Sequence, residues 1–118
     1  MGQVVLVAED DPSVRMTIEF VLNDEGFEVL LAEDGEQALK VALESKPDII
    51  LLDQIMPKMD GKEVLTALRS NDSTKDIPVL VLTGMARGEP SEWPGATFVG
   101  KPFSPDALVQ RIREVLAR

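Results

Sequence analysis

Apolar residues occur in five short, continuous runs along the chain. The three most apolar runs are residues 3–8 (QVVLVA), 48–53 (DIILLD) and 78–83 (PVLVLT). Continuous rather than alternating apolar positions are typical of parallel strands that are covered on both faces. Residues 27–32 (FEVLLA) form a fourth predicted strand, and residues 96–100 (ATFVG) form a shorter, weaker fifth one. The pattern therefore predicts a parallel sheet with the first three runs in its middle.

The stretches between these runs carry apolar residues at helical spacing, and their ends carry typical capping residues. Asp11 precedes Pro12 at the start of the first helical stretch, and Gly26 follows its end. Ser104 precedes Pro105 at the start of the last one in the same way. An oxygen-bearing side chain before proline is a common helix start, and glycine is a common helix end. Asp11 is therefore interpreted as a helix cap rather than as a metal ligand.

Two further helices are predicted over residues 35–45 (GEQALKVALES) and 61–70 (GKEVLTALRS). Strands and helices thus alternate along the chain, which implies right-handed crossovers and helices on both faces of the sheet. The predicted fold class is a doubly wound α/β sandwich. We find no linker, internal repeat or low-complexity tract, so residues 1–118 are predicted to form a single domain.

Residues 84–96 (GMARGEPSEWPGA) interrupt the alternation at a place where another helix is expected. Pro90 removes a backbone donor from such a helix, and Pro94 disfavours helical geometry at Trp93. The fourth of five helices is therefore predicted to be shortened or missing. We expect Trp93 to shield apolar sheet surface that a full helix would otherwise cover; the alternative is an exposed partner contact.

Composition excludes several classes of chemistry. The chain has no cysteine, no histidine and a formal net charge of −9. Disulfides, thiolate zinc sites and imidazole catalysis are excluded, so any metal must be held by oxygen atoms. The acidic charge argues against binding to nucleic acid or to an anionic membrane. No apolar run is long enough for a membrane span and no signal peptide is visible, so a cytoplasmic location is expected.

Polar residues follow the predicted strands at the edge where parallel α/β sheets bind ligands. Glu9 and Asp10 follow the first strand, Asp53 ends the third, Thr83 ends the fourth, and Lys101 follows the fifth. Three crowded carboxylates repel one another unless a cation lies among them. A hard divalent ion fits this set of oxygen atoms, and Mg²⁺ is usual where phosphate is involved. Thr83 and Lys101 would then face the phosphate.

Four motifs resemble, in order and spacing, those of the response-regulator receiver domain of two-component signalling. They are VVLVAEDDPSVR (4–15), PDIILLDQIMPKMDG (47–61), PVLVLTG (78–84) and FVGKPFSP (98–105). The resemblance covers essentially the whole chain and is nearest to stand-alone, chemotaxis-regulator-like receivers. It implies a five-stranded parallel sheet with the flavodoxin-like strand order 2-1-3-4-5.

The resemblance also implies roles for individual residues. Asp53 is expected to be the phosphoacceptor, and Glu9 and Asp10 are expected to hold Mg²⁺ together with Asp53. The backbone carbonyl of Ile55 is implied as a further ligand. Lys101 is implied to pair with a phosphoryl oxygen.

Signalling in this family implies a second conformational state. The Thr83 hydroxyl is expected to move toward the phosphoryl group. Phe98 occupies the position of the aromatic residue that is expected to turn into the space that Thr83 leaves. The alternative is that Phe98 is only a core residue of its strand. The expected partners are a histidine kinase or histidine phosphotransfer protein and an unidentified downstream protein. Because residues 84–96 depart from the family pattern, a monomer or weak dimer is expected. The chain is predicted to be a switch that catalyses only its own phosphotransfer and slow dephosphorylation, not an enzyme.

Three other functions fit the sequence less well. A flavodoxin-like nucleotide or flavin binder is disfavoured because residues 8–12 (AEDDP) place acid where a phosphate loop would be needed. A magnesium-dependent phosphatase with an aspartyl nucleophile would commonly need a second acid at position 55, which is Ile55. A degenerate receiver that binds partners without phosphorylation is disfavoured because no site residue is missing.

Overall fold

A computed structural model describes residues 2–54, 56–83, 93, 95–100 and 103–117. It contains one five-stranded sheet in which all neighbouring strands are parallel, with the order β2-β1-β3-β4-β5. The strands are β1 (Val4–Ala8), β2 (Glu28–Ala32), β3 (Ile49–Asp53), β4 (Val79–Thr83) and β5 (Ala96–Gly100). This confirms the predicted fold class and strand order. The three central strands are the continuous apolar runs, as expected for strands covered on both faces.

Four helices are present in the described part of the chain. They are α1 (Pro12–Asp24), α2 (Gly35–Ser45), α3 (Gly61–Arg69) and α4 (Pro105–Leu116). Asp11 caps α1 by accepting from the backbone N–H of Ser13 at 2.9 Å, so its interpretation as a cap is confirmed. Ser104 caps α4 by accepting from the N–H of Ala107 at 3.1 Å. None of these described helices is both long and apolar enough to cross a membrane.

Two apolar layers lie on opposite faces of the sheet. Helices α2 and α3 pack on the face that presents Leu6, Ile50 and Val81, among others. Helices α1 and α4 pack on the other face, against Val7 and Leu51 among others. Alternate residues of each strand thus enter alternate layers, because successive side chains of a strand point to opposite faces.

Trp93 completes the first of these layers. Residues 84–92 and 94, where a helix is predicted to be shortened or missing, lie outside the described residues. Trp93 itself is only 4% exposed, outside any helix, and packs with the α2 and α3 layer. Its ring meets that of Phe98 edge-on, with centroids 5.7 Å apart and an interplanar angle of 79°. The prediction that Trp93 shields the sheet is confirmed, and its alternative, an exposed partner contact, is wrong because the sheet surface beside Phe98 buries the indole.

Arg69 joins the end of α3 to the chain that enters β4. Its Nη1 donates to the carbonyl oxygens of Lys75 at 3.0 Å and Ile77 at 2.7 Å. Burial lowers the pKa of the Arg69 guanidinium below its ordinary value, and the nearby charge of Asp76 partly opposes that effect. Gly95 lies against the guanidinium, where an added Cβ would meet Nη2 at 3.3 Å. Arg69 therefore braces both the entry to β4 and the turn that precedes β5.

Candidate functional site

The parallel register brings several polar residues to one edge of the sheet. Ala8 of β1 is aligned with Leu52 of β3, so the residues that follow them, Glu9 and Asp53, reach the same edge. Thr83, the last residue of β4, is aligned with Gly100 of β5 at that edge. Since the carboxyl ends of parallel strands meet there, residues far apart in sequence become neighbours.

Glu9, Asp10 and Asp53 form a compact carboxylate cluster. One carboxylate oxygen from each can be chosen so that all lie within 4.8 Å of one another. Glu9 is 1% exposed and Asp53 is 7% exposed, whereas Asp10 is open to solvent. Three negative charges at this separation repel strongly where two of them are withdrawn from water, and a cation among them would offset that repulsion. All-oxygen ligands with one side open to water are a donor set that fits Mg²⁺.

The carboxylate and backbone of Glu9 are held from two sides. Its Oε2 accepts from the backbone N–H of Asp11 at 3.2 Å. Its backbone carbonyl accepts from Nη1 of Arg15 at 2.8 Å, and Arg15 Nη2 lies 3.6 Å from the carboxylate of Glu33. Arg15 therefore ties the end of β1 to α1 and to the residue after β2. Sequence reasoning missed Arg15, although its position four residues after Asp11 places it one helical turn beyond the cap.

Thr83 and Gln54 are directly bonded at the same edge. The Thr83 hydroxyl, in a residue that is 5% exposed, donates a hydrogen bond to Oε1 of Gln54. Gln54 follows Asp53 immediately and was not singled out from the sequence. Gln54 lies in an irregular loop, where the spacing of apolar residues gives no information about side-chain contacts. The contact with Thr83 is seen only when the ends of β3 and β4 lie side by side in the fold.

Gly61 supports the backbone around Asp53. Its N–H donates to the carbonyl of Gln54 at 2.9 Å, and the N–H of Gln54 donates to the carbonyl of Leu82 at 3.1 Å. A Cβ on Gly61 would lie 2.6 Å from the carbonyl oxygen of Asp53 and 3.1 Å from the Cα of Gln54. The start of α3 thus approaches the end of β3 more closely than any side chain would allow.

Of the remaining predicted site residues, Phe98 is described by the structure. Phe98 is partly buried on β5, two residues before the strand end, and packs in the layer that contains Trp93. Ile55 and Lys101 lie outside the described residues. The structure therefore brings together Glu9, Asp10 and Asp53.

A family model for the response regulator receiver domain matches residues 5–113. The chain belongs to the response regulator receiver domain family. Receiver domains of this kind are parts of two-component systems. The match spans the acidic cluster, β2 to β5 and all of β1 except Val4, so it includes the site described above.

Known receiver proteins and structures agree with this assignment. The chain is 37% identical to the phosphate regulon transcriptional regulatory protein PhoB of Pseudomonas aeruginosa over 124 residues, covering 100% of this chain and 53% of PhoB. It thus spans about half the length of the curated relatives it matches. Its fold is similar to that of the chemotaxis response regulator CheY4 of Vibrio cholerae, with a TM-score of 0.90, 33% identity, and coverage of 98% of this chain and 99% of CheY4.

A third relative bears on the metal. The receiver domain of the sensor histidine kinase PA1611 from Pseudomonas aeruginosa has a TM-score of 0.90 and 28% identity, with 100% of each chain covered. In that structure a magnesium ion is coordinated in the active-site cleft. Receiver domains bind Mg²⁺ at an acidic pocket, and in this chain the carboxylates of Glu9, Asp10 and Asp53 form an acidic cluster.

Proposed function

We propose that this chain is a phosphorylation-dependent switch whose Asp53 accepts a phosphoryl group in a Mg²⁺-dependent reaction. The observation that carries the proposal is the carboxylate cluster, in which Asp53 lies with Glu9 and Asp10 within 4.8 Å at the sheet edge. Membership of the receiver family and the burial of Asp53 in this cluster support the proposal. The proposal assigns Asp53 the role of nucleophile and the other two carboxylates the role of metal ligands.

The metal ion would be held by oxygen atoms of this chain. Glu9, Asp10 and Asp53 would hold Mg²⁺, with the backbone carbonyl of Ile55 as the further ligand that the resemblance implies. When bound, Mg²⁺ neutralises negative charge on the transferred phosphoryl oxygens. The hydrogen bond from Asp11 N–H to Oε2 of Glu9 helps to fix the position of this carboxylate. Glu9 and Asp10 would thus hold the metal beside the carboxylate of Asp53.

The transfer is a substitution at phosphorus. A carboxylate oxygen of Asp53 attacks the phosphorus, and the bond from phosphorus to the leaving atom breaks in line with the attack. With a phosphohistidine donor, the electron pair of the broken N–P bond returns to the imidazole nitrogen. We assign Lys101 to a phosphoryl oxygen as a positive charge and Thr83 to another as a hydrogen-bond donor. The chain has no histidine, so the phosphohistidine belongs to a histidine kinase or phosphotransfer protein.

The switch is completed by a rearrangement and a reset. The Thr83 hydroxyl turns toward the phosphoryl group, and the Phe98 ring follows into the space that it leaves. Because phenylalanine has no hydroxyl, its rotamer preference is set by packing, in which the Trp93 ring takes part. Water then attacks the acyl phosphate and releases inorganic phosphate, which restores Asp53. We regard this slow self-dephosphorylation as part of a signalling cycle rather than as enzyme turnover.

The partners are proposed to be proteins. A net charge of −9 disfavours direct contact of this chain with nucleic acid, so the phosphoryl donor and the downstream target are expected to meet it through protein surfaces. We place this exchange in the cytoplasm. The relatives of about twice this length carry additional chain, and any activity of such additional chain is a separate matter.

The test is phosphorylation with a small acyl phosphate. Incubation with acetyl phosphate and Mg²⁺ should retard the protein on a phosphate-affinity gel, and Asp53→Asn should abolish the shift. Asp72→Asn is the matched control because the Asp72 side chain is fully exposed in a loop away from the cluster. Loss of the shift on chelation of Mg²⁺ is also expected.

The alternatives give different results in the same experiment. A degenerate receiver would show no shift in the wild-type protein. An aspartyl phosphatase would release phosphate continuously from acetyl phosphate without accumulating the shifted form. A flavin- or nucleotide-binding protein would likewise show no shift that depends on acetyl phosphate and Asp53. Any of these three results would contradict the proposed function.

A further inference from the structure

The hydroxyl of Thr83 already has a partner before any phosphoryl group arrives. It donates to Oε1 of Gln54 in this structure. A threonine hydroxyl carries one proton and can donate one hydrogen bond at a time. If Thr83 is to donate to a phosphoryl oxygen on Asp53, it must first release Gln54. The two acceptors, Gln54 and the phosphoryl group, therefore compete for the same proton.

Gln54 is well held for this competition. Its backbone N–H donates to the carbonyl of Leu82 at 3.1 Å, and its own carbonyl accepts from Gly61 at 2.9 Å. The side chain therefore starts from a fixed position beside the end of β4. Thr83 is 5% exposed and Gln54 is partly buried, so water replaces a broken bond between them only partly. The bond consequently favours the arrangement in which Thr83 points to Gln54.

We propose that Gln54 is a positioning residue that holds the Thr83 hydroxyl in the resting state and sets how much phosphoryl binding is needed to switch it. This inference rests on the proposed function. In this scheme Gln54 acts through its hydrogen bond with the Thr83 hydroxyl. Removing its acceptor oxygen should leave Mg²⁺ binding unchanged and should favour every state in which Thr83 donates to the phosphoryl group.

The experiment uses beryllofluoride with Mg²⁺ as a stable stand-in for the phosphoryl group on Asp53. Gln54→Met removes the acceptor while keeping the length of the side chain. Its half-saturating beryllofluoride concentration, followed by NMR of backbone amides near Asp53, should fall by about fivefold, the size expected for one neutral hydrogen bond. Gln110→Met on the exposed surface of α4 is the matched control and should leave the concentration unchanged. Titration with Mg²⁺ alone should give the same affinity in all three proteins.

A double-mutant cycle separates positioning from a structural effect. In a Thr83→Ala background there is no hydroxyl to hold, so Gln54→Met should change the half-saturating concentration by less than about twofold. An equal change with and without Thr83 would overturn the inference, because Gln54 would then act through its loop. No change in either background would overturn it as well.

A second variant covers the case in which methionine disturbs the loop. Gln54→Ala also removes the acceptor and should shift the beryllofluoride titration in the same direction; a shift in the opposite direction would count against the inference. Failure of the proposed function is distinguishable, since the wild-type protein would then show no saturable beryllofluoride binding that Asp53→Asn abolishes. Wild-type binding together with an unaltered Gln54→Met titration would refute this inference alone.

Discussion

At the scale of single residues, the position of Asp53 is limited by the close approach of Gly61. Gly61 has no room for a side chain, since a Cβ there would lie 2.6 Å from the carbonyl oxygen of Asp53. Real Cβ contacts are longer than 3.0 Å, so an alanine would displace the backbone of Asp53 or the start of α3. The absence of a side chain at this position is thus part of how Asp53 is placed.

Gly61→Ala is therefore expected to impair phosphorylation beyond its effect on stability. Strain in a packed site should lower the free energy of unfolding by about 1–3 kcal/mol. Displacement of Asp53, the proposed nucleophile, by a fraction of an ångström should slow acetyl phosphate labelling by at least about tenfold. Labelling rates on phosphate-affinity gels and urea denaturation measure the two effects.

Gly35→Ala is the matched control for this substitution. Gly35 also begins a helix, and a Cβ there would lie 2.0 Å from the carbonyl oxygen of Met59 rather than against Asp53. Gly35→Ala should lower the free energy of unfolding at least as much as Gly61→Ala does, while its labelling with acetyl phosphate should proceed at nearly the wild-type rate. Equal slowing in the two variants would show that stability, not the position of Asp53, governs the rate.

Residues at the ends of strands could be predicted to share the site, whereas long polar side chains with partners on other elements could not. Glu9, Asp10 and Asp53 could be placed together because each stands at a strand end, and parallel strands share one edge. Arg15 and Gln54 could not, because their partners are a carbonyl and a hydroxyl on other elements. Long polar side chains find such partners only after the fold has formed, and hydrophobic periodicity carries no information about them.

At the scale of elements, the helices were predictable from their ends and stripes. Pro12, Pro105 and the residues before them mark helix starts by local chemistry alone, and the structure places both starts as predicted. On α4, Val109 is buried beside Leu108, although the two are adjacent in sequence, because the sheet and α1 together cover a wide face of this helix. Packing in the folded protein thus buries a wider face of a helix than the spacing of apolar residues alone indicates.

Trp93 acts as part of a sheet-covering layer although it lies in no helix. It is 4% exposed and meets Phe98 edge-on. Trp93→Ala should lower the free energy of unfolding by about 3–5 kcal/mol, because it leaves a large cavity against β5. Trp93→Phe should recover much of that loss by refilling the cavity. Chemical denaturation followed by circular dichroism, which does not depend on tryptophan emission, measures both.

Phe20 provides the matched control for an aromatic side chain. It lies on α1 and is 64% exposed. Phe20→Ala should change the free energy of unfolding by no more than about 0.5 kcal/mol. A loss of under about 1 kcal/mol for Trp93→Ala would contradict the assignment of Trp93 to the core.

At the scale of the whole molecule, surface chemistry disfavours self-association through the face built around β5. Among the described residues, the exposed large apolar side chains are Met16 and Phe20, each 64% exposed and both on α1. Helix α1 packs on the face of the sheet opposite to Trp93. The indole that could have served as an anchor for a partner near β5 is itself buried in the monomer.

The protein is accordingly expected to stay monomeric when it is activated. A stable protein interface buries about 800 Å² on each partner around a desolvated apolar centre, and a net charge of −9 on each copy opposes association at low salt. Sedimentation velocity with and without beryllofluoride and Mg²⁺ should give one monomeric species in 50 and 500 mM salt, about the range over which charge repulsion is progressively screened. A dimer that forms only with beryllofluoride would contradict this expectation. Two substitutions would then locate the interface: Phe20→Ala on α1 and Arg111→Glu on the exposed side of α4. If the dimer survived Phe20→Ala but dissociated with Arg111→Glu, the face formed by β5 and α4 would be the interface. The departure of residues 84–96 from the family pattern would then need an explanation other than a change of output surface.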